Sequence, residues 1–236
     1  MSTSWAIRRA NTTLGKSKKR KINAEPEVAN ILNMLSNPIN NEETPSFKPT
    51  LGEDPGTKLY TRDNHIYFQD DINFDSASAL IKEINDLATE LKFMQVQYKF
   101  PEPAPIILHI TSPGGIIHAA NNIIDCMEQC SVPVNTIVDG FAASCGTLIS
   151  IHGVHRSMGR RAHMLIHQMS STMWGTYTEA EQIDHNTNVE QTSEELRAMY
   201  RQRTNMTNKQ LRELLKHDME WNADECLRRG LVDEIC

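Results

Sequence analysis

A serine set among small residues, a histidine closing an apolar run and a set of late aspartates are the side chains here that could together carry out acyl transfer. The serine is Ser144, within Gly140-Phe141-Ala142-Ala143-Ser144-Cys145-Gly146-Thr147. A hydroxyl is a poor nucleophile at neutral pH and needs a base to take its proton. His167, after Met164-Leu165-Ile166, ends an apolar run, where its ring can turn toward a neighbouring element; His65, His109, His118, His152, His155, His163, His185 and His217 compete with it. A carboxylate that fixes the tautomer of such a histidine and stabilises its imidazolium completes the set. Asp184, Asp218, Asp224 and Asp233 are the candidates.

The elements that must position these groups are legible around them. Val134 to Val138 is a β-branched run, the stretch around Ser144 is small and glycine-rich, and Leu148-Ile149-Ser150-Ile151 resumes apolar character, which reads as strand, tight turn, helix. A serine at such a turn presents its hydroxyl at a helix start, where unpaired backbone N–H groups can stabilise an oxyanion. Upstream, Ile106 to Ile110 is a further strand running into Thr111-Ser112-Pro113-Gly114-Gly115, followed by a helix that ends before Pro133. Strand, helix, strand, helix in this order predicts parallel pairing with right-handed crossovers. Before it, Lys58 to Tyr60 and His65 to Phe68 read as short strands around Asp63-Asn64, and Ala79, Leu80, Ile81, Ile84, Leu87 and Leu91 follow helical spacing, with Asp75 or Ser76 as the cap. Three later helices are announced by Thr178 with Glu181, Thr207 with Gln210 and Asn222 with Glu225, and Gly230 closes the last. The first of them, about Thr178 to Arg203, is so polar that it should need packing from outside its own globule.

The Ser-Pro-Gly-Gly turn, the Ser144 turn, His167-Gln168 and Gly230-Leu231-Val232-Asp233 stand in the order and spacing of one family. Over roughly residues 58–236 the chain resembles the proteolytic subunit of Clp protease, a self-compartmentalised serine peptidase. The resemblance implies an α/β chain with the ClpP/crotonase-like repeated β-β-α superhelical fold and a protruding handle helix. It implies Ser144 as nucleophile, His167 as base, and Asp218 as acid, twelve residues before Gly230. It also implies an oxyanion hole from the backbone N–H groups of Gly115 and Cys145. Extended polypeptides would bind by strand addition near Gly115 and the Ser170 to Thr176 stretch, with short peptides as products.

The same resemblance implies a homo-oligomer of two stacked heptameric rings interlocked by the handle, fed by a hexameric AAA+ ATPase unfoldase. ATP would be used by that partner, and no cofactor or metal by this chain. Three features depart from the family: Met169 stands where a proline usually follows His-Gln, Ile107 and His109 where aromatics usually help dock the ATPase, and His217 where an arginine usually precedes the acid. Two rival readings keep the fold and change the role: a phage prohead maturation protease, and an idle ring subunit that supports assembly. Crotonase-type acyl-CoA enzymes share the oxyanion turn but would not need Ser144 and His167.

Composition sets the remaining bounds. At 236 residues, 39% hydrophobic and 23% charged, the chain suits one globular domain plus an extension, and it has no apolar run of 18 residues. Cys126, Cys130, Cys145, Cys226 and Cys236 lack paired zinc-ligand spacing and read as free thiols in a reducing compartment. Residues 1–24 hold seven basic residues and no acid, leaving 17 basic against 30 acidic residues, a net charge of −13, in residues 25–236. A basic arm on an acidic body does not present the folded basic face that nucleic acid requires. Residues 1–57 are therefore expected to be a mostly disordered arm or propeptide, with a transit peptide as the alternative. The expected location is the cytoplasm, or an organelle matrix or stroma, or a host cytoplasm if the source is viral; no membrane or nucleic-acid partner is expected.

Overall fold

The computed structural model describes residues 58–171 and 175–236. The expected arm of residues 1–57 lies outside the described residues.

Two short strands, β1 (Leu59–Arg62) and β2 (His65–Phe68), form a hairpin. Helix α1 (Phe74–Tyr98) follows, then β3 (Ile106–Ser112), α2 (Ile117–Gln129) and β4 (Val134–Ala143). Helix α3 (Cys145–Ile151), β5 (Arg156–Met158) and β6 (His163–Ile166) come next. The chain closes with α4 (Glu179–Arg203), α5 (Asn208–Leu214), β7 (Met219–Asn222), α6 (Ala223–Arg229) and β8 (Glu234–Ile235). The mixed α/β architecture expected from the sequence is the one observed.

Strict alternation builds β3. In β3, Ile106, Leu108, Ile110 and Ser112 are buried while Ile107, His109 and Thr111 are half-exposed. The buried set joins Ile66, Phe68 and Val138 in a core with Leu80 and Ile84 of α1, Ile123 of α2 and Leu148 of α3. Strands β2, β3, β4 and β5 pair in parallel, as the strand-helix-strand order predicts.

Strand β4 forks the sheet. Its first half, Thr136 to Val138, pairs with β5, and its second half, Phe141 to Ala143, pairs with β6. The pairing of β3 with β4 slips between Ile110 and Ser112, an irregularity that falls where β4 passes from β5 to β6. Strand β7 then pairs antiparallel with β6, Ile166 opposite Met219. These two additions make the platform on which the candidate site is built.

Caps corrected the expectation in two places. Asn73, not Asp75 or Ser76, caps α1: its side chain accepts from the Asp75 and Ser76 amides, and Ser76 reciprocates. Asn222 caps α6, but Glu225 does not return the bond, because its carboxylate is taken by Arg228 and Arg229. The boxes at Thr178 and Thr207 are complete, and Gly230 ends α6 in the left-handed region at φ 72°.

The Arg156 guanidinium ties the C-terminal segment to the rest of the fold. It bonds both Asp233 oxygens and the carbonyls of Arg203 and Gly230, holding the Asp233 carboxyl below its usual range. Two histidines set the response to acid. Burial, aided by His109, lowers the pKa of the His65 ring, and burial lowers that of His152, whose Nδ1 donates to the Leu148 carbonyl. The unfolded chain therefore takes up these protons first as pH falls, so stability drops below about pH 6.5. Denaturant midpoints measured from pH 7.5 to 5.5 should fall, and His152→Gln should flatten that slope.

Candidate active site

Ser144 sits between β4 and α3 with φ 51° and ψ −121°, a conformation side chains rarely adopt. Such strain costs on the order of 1–3 kcal/mol and persists only when the surroundings enforce it. Two contacts do so. The Ser144 N–H donates to the Leu165 carbonyl at 2.9 Å, and its own carbonyl accepts from the Thr147 N–H at 3.0 Å and the Thr147 hydroxyl at 2.7 Å. The serine is half-buried at the point where strand becomes helix, as the small residues around it predict.

The glycine turn lies directly against it. A β-carbon at Gly114 would stand 2.7 Å from Ser144 Cβ and 2.8 Å from the Ala143 carbonyl oxygen; at Gly115 it would stand 2.0 Å from the Ile72 carbonyl oxygen. The turn is shaped from two sides. Buried Ser112 accepts the Gly114 N–H at 3.1 Å. The backbone of Ile72 brackets Gly115, its N–H donating to the Gly114 carbonyl at 2.8 Å and its carbonyl accepting from Ile116 at 2.7 Å. Because the Gly114 carbonyl points to Ile72, the N–H of the same planar peptide, that of Gly115, points the opposite way. The Gly115 carbonyl accepts the Cys145 thiol at 3.2 Å, and burial pushes that thiol's pKa up, so it serves packing rather than reactivity.

His167 reaches the site through the sheet. Ala143 pairs with Leu165, so one step beyond the paired register brings Ser144 beside β6, which ends one residue before His167. Ile166 pairs with Met219 across β6 and β7, so extending that register by one sets His167 opposite Asp218. Their side chains meet with Nδ1 3.4 Å from Oδ1. This contact is longer than a charge-assisted hydrogen bond, and the Asp218 side chain is 75% exposed, so the pair is loosely held in the isolated chain.

Most of the rival residues are engaged elsewhere. Asp233 is bound by Arg156 and Asp224 by Arg160, while His65, His109, His155 and His217 face one another, Asp139, Glu234 and Glu213. The three departures resolve similarly. Met169 packs half-buried against the core, and His217 contacts Glu213 at 3.6 Å. His109 stacks on Tyr67 at 4.2 Å, and Tyr67 on Tyr60 at 4.6 Å, so an aromatic stack survives on the outer face of β1 to β3. Ile72 and Thr147 were not legible as site residues: one acts through its backbone alone, the other through a hydroxyl inside an apolar helix. Of the expected substrate-binding stretch Ser170 to Thr176, residues 172–174 lie outside the described residues.

The family model for Clp protease matches residues 57–236. Among curated proteins, the ATP-dependent Clp protease proteolytic subunit of Streptococcus mutans is 35% identical over 156 residues, covering 64% of this chain and 76% of that protein. The proteins of the same name from Streptococcus pyogenes serotype M5 and Streptococcus equi subsp. equi are each 33% identical over the same length and shares.

The glycine geometry predicts a graded response to alanine. Gly115→Ala, at φ 151° and against the Ile72 carbonyl, should cost more than about 2 kcal/mol. Gly140→Ala, whose β-carbon would meet nothing nearer than the Thr111 hydroxyl at 4.0 Å, should cost less than about 1 kcal/mol. Denaturant titration of the two variants checks the ranking.

Proposed function

The chain belongs to the Clp protease family, and from that premise we propose how its residues cut polypeptides. It is a serine peptidase, the proteolytic subunit of a Clp-type protease. In our reading Ser144 Oγ attacks the scissile carbonyl while His167 takes its proton. Asp218 orients the His167 ring through Nδ1 and stabilises the imidazolium. The oxyanion is received by the N–H groups of Gly115 and Cys145, each such donor being worth about 10²–10³ in rate. His167 then protonates the departing amine, and water, deprotonated by the same histidine, releases the acyl group from Ser144.

One observation carries this reading: the bond from Ser144 N–H to the Leu165 carbonyl, which ties the serine to the strand that ends beside His167. An extended substrate would add as a strand alongside the Gly115 turn, with backbone recognition and low side-chain selectivity.

Members of this family work as oligomers with Clp ATPases, and this subunit is read in the same way. We place it in two stacked heptameric rings served by a hexameric AAA+ unfoldase that uses the ATP, with no cofactor in this chain. Helix α4 supports this assignment: through Gln191 none of its residues is buried, and only Leu196 and Tyr200 are buried at all. The aromatic stack of Tyr60, Tyr67 and His109 suits the ATPase docking face. No helix among the described residues is long and apolar enough to cross a membrane, and the cytoplasm is the proposed location. Residues 58–236 are proposed as the peptidase domain and residues 1–57 as the preceding arm.

A fluorophosphonate probe should label the assembled wild-type chain stoichiometrically at Ser144. Ser144→Ala should abolish labelling, and His167→Ala should slow it by more than about a hundredfold; an assembled ring that takes no label would refute the proposed nucleophile. Ile183 is 57% exposed in the first half of α4. Ile183→Asp should shift native mass from the double ring to single rings, whereas an unchanged mass would refute the handle assignment.

A further inference from the structure

Behind the serine, a buried hydroxyl chain leads to α4. Tyr200 is 3% exposed and Thr147 is fully buried, and their hydroxyl oxygens are 2.5 Å apart. Each hydroxyl has a single proton. That of Thr147 is donated to the Ser144 carbonyl, so Tyr200 must be the donor to Thr147 Oγ1. The chain therefore has one direction, from Tyr200 O–H to Thr147, and from Thr147 O–H to the Ser144 carbonyl. Burial raises the pKa of the phenol, which keeps its proton in place.

Stability alone does not call for this pair. A buried neutral hydrogen bond contributes about 1 kcal/mol net, and an apolar pair of the same shape is nearly equivalent. Its geometric consequence is larger. The Ser144 carbonyl shares a planar trans peptide with the Cys145 N–H, so the two groups point in opposite directions. The Thr147 N–H, at 3.0 Å, and the Thr147 hydroxyl, at 2.7 Å, both draw this carbonyl into α3 and so turn the Cys145 N–H outward; the hydroxyl is the shorter bond and the one a side-chain substitution removes. The Gly115 N–H is aimed in the same fashion by the bond from Ile72 to the Gly114 carbonyl.

We propose that Thr147 and Tyr200 are positioning residues for the oxyanion hole: they hold the Ser144–Cys145 peptide plane so that the Cys145 amide faces the oxygen on which charge develops. Tyr200 lies on α4, so the helix assigned to ring assembly also sets this plane. The proposal rests on the serine-peptidase reading above.

The test uses the full-length assembled chain, a short fluorogenic peptide and a peptide boronate that mimics the tetrahedral intermediate. Thr147→Val leaves the Tyr200 hydroxyl buried without its partner. The double variant Thr147→Val with Tyr200→Phe leaves no orphaned group and should match wild type in melting temperature and native mass. Its kcat should nonetheless fall about tenfold or more with KM within about twofold, and boronate affinity should weaken in parallel. Thr147→Ser, which keeps the hydroxyl, should restore kcat to within about threefold.

A double variant that is assembled and keeps kcat within twofold of wild type overturns the proposal. Should the double variant fail to assemble, Tyr200→Phe alone decides: a kcat reduced at least threefold at unchanged KM supports it, and an unchanged kcat overturns it. Wild-type rings without Ser144-dependent hydrolysis would instead refute the peptidase reading and this proposal together.

Discussion

The backbone of Ser144 is held at both of its polar groups, and the rest of the site depends on that clamp. Its N–H is bound to Leu165 on β6 and its carbonyl to Thr147 on α3, while φ stays at 51°. Releasing the Leu165 bond, or both bonds from Thr147, would let the residue relax out of a conformation that costs on the order of 1–3 kcal/mol. The first bond brings the strand that leads to His167. The second fixes the peptide that carries the Cys145 amide. The tight turn that holds Ser144 and the Cys145 amide thus needs no long-range ion pair to form, and the loose contact of His167 with Asp218 lies beyond the end of β6.

The forked strand explains how one sheet supports this. If β4 paired with β5 along its whole length, no edge would remain for β6 beside Ser144. Beyond the slip in pairing between Ile110 and Ser112, Ala142 still pairs with Ser112 on one edge while β6 replaces β5 on the other. Strand β7 then extends the same edge, and its antiparallel register sets Asp218 opposite His167. The glycines at 114 and 115 complete the arrangement, because a side chain at either position would collide with Ser144 or with the Ile72 carbonyl.

Features determined by neighbours in the chain were readable from sequence. The alternation of Ile106 to Ser112, the reciprocal caps at Thr178 and Thr207 and the turn around Ser144 are all of this kind. Cap identity at α1 was misread because Asn73, Asp75 and Ser76 are all good caps, and only the backbone path chooses among them. Glu225 was misread because Arg228 and Arg229, a helical turn away, compete for its carboxylate. The bracket of Ile72 on Gly115, the hydroxyl pair of Thr147 and Tyr200 and the fork in β4 join residues 40 or more positions apart or act through main-chain atoms. No local pattern encodes them. Asp218 comes from the spacing of the family resemblance, and extending the β6–β7 register by one residue sets it opposite His167.

The most direct test of the account is a crystal structure of the assembled chain after reaction with a peptide boronate. Boron should be bonded to Ser144 Oγ, with one boronate oxygen about 2.7–3.1 Å from the amide nitrogens of both Gly115 and Cys145 and His167 facing the other oxygen. Boron bound elsewhere, or bound to Ser144 with its oxygens turned away from those two amides, would contradict it.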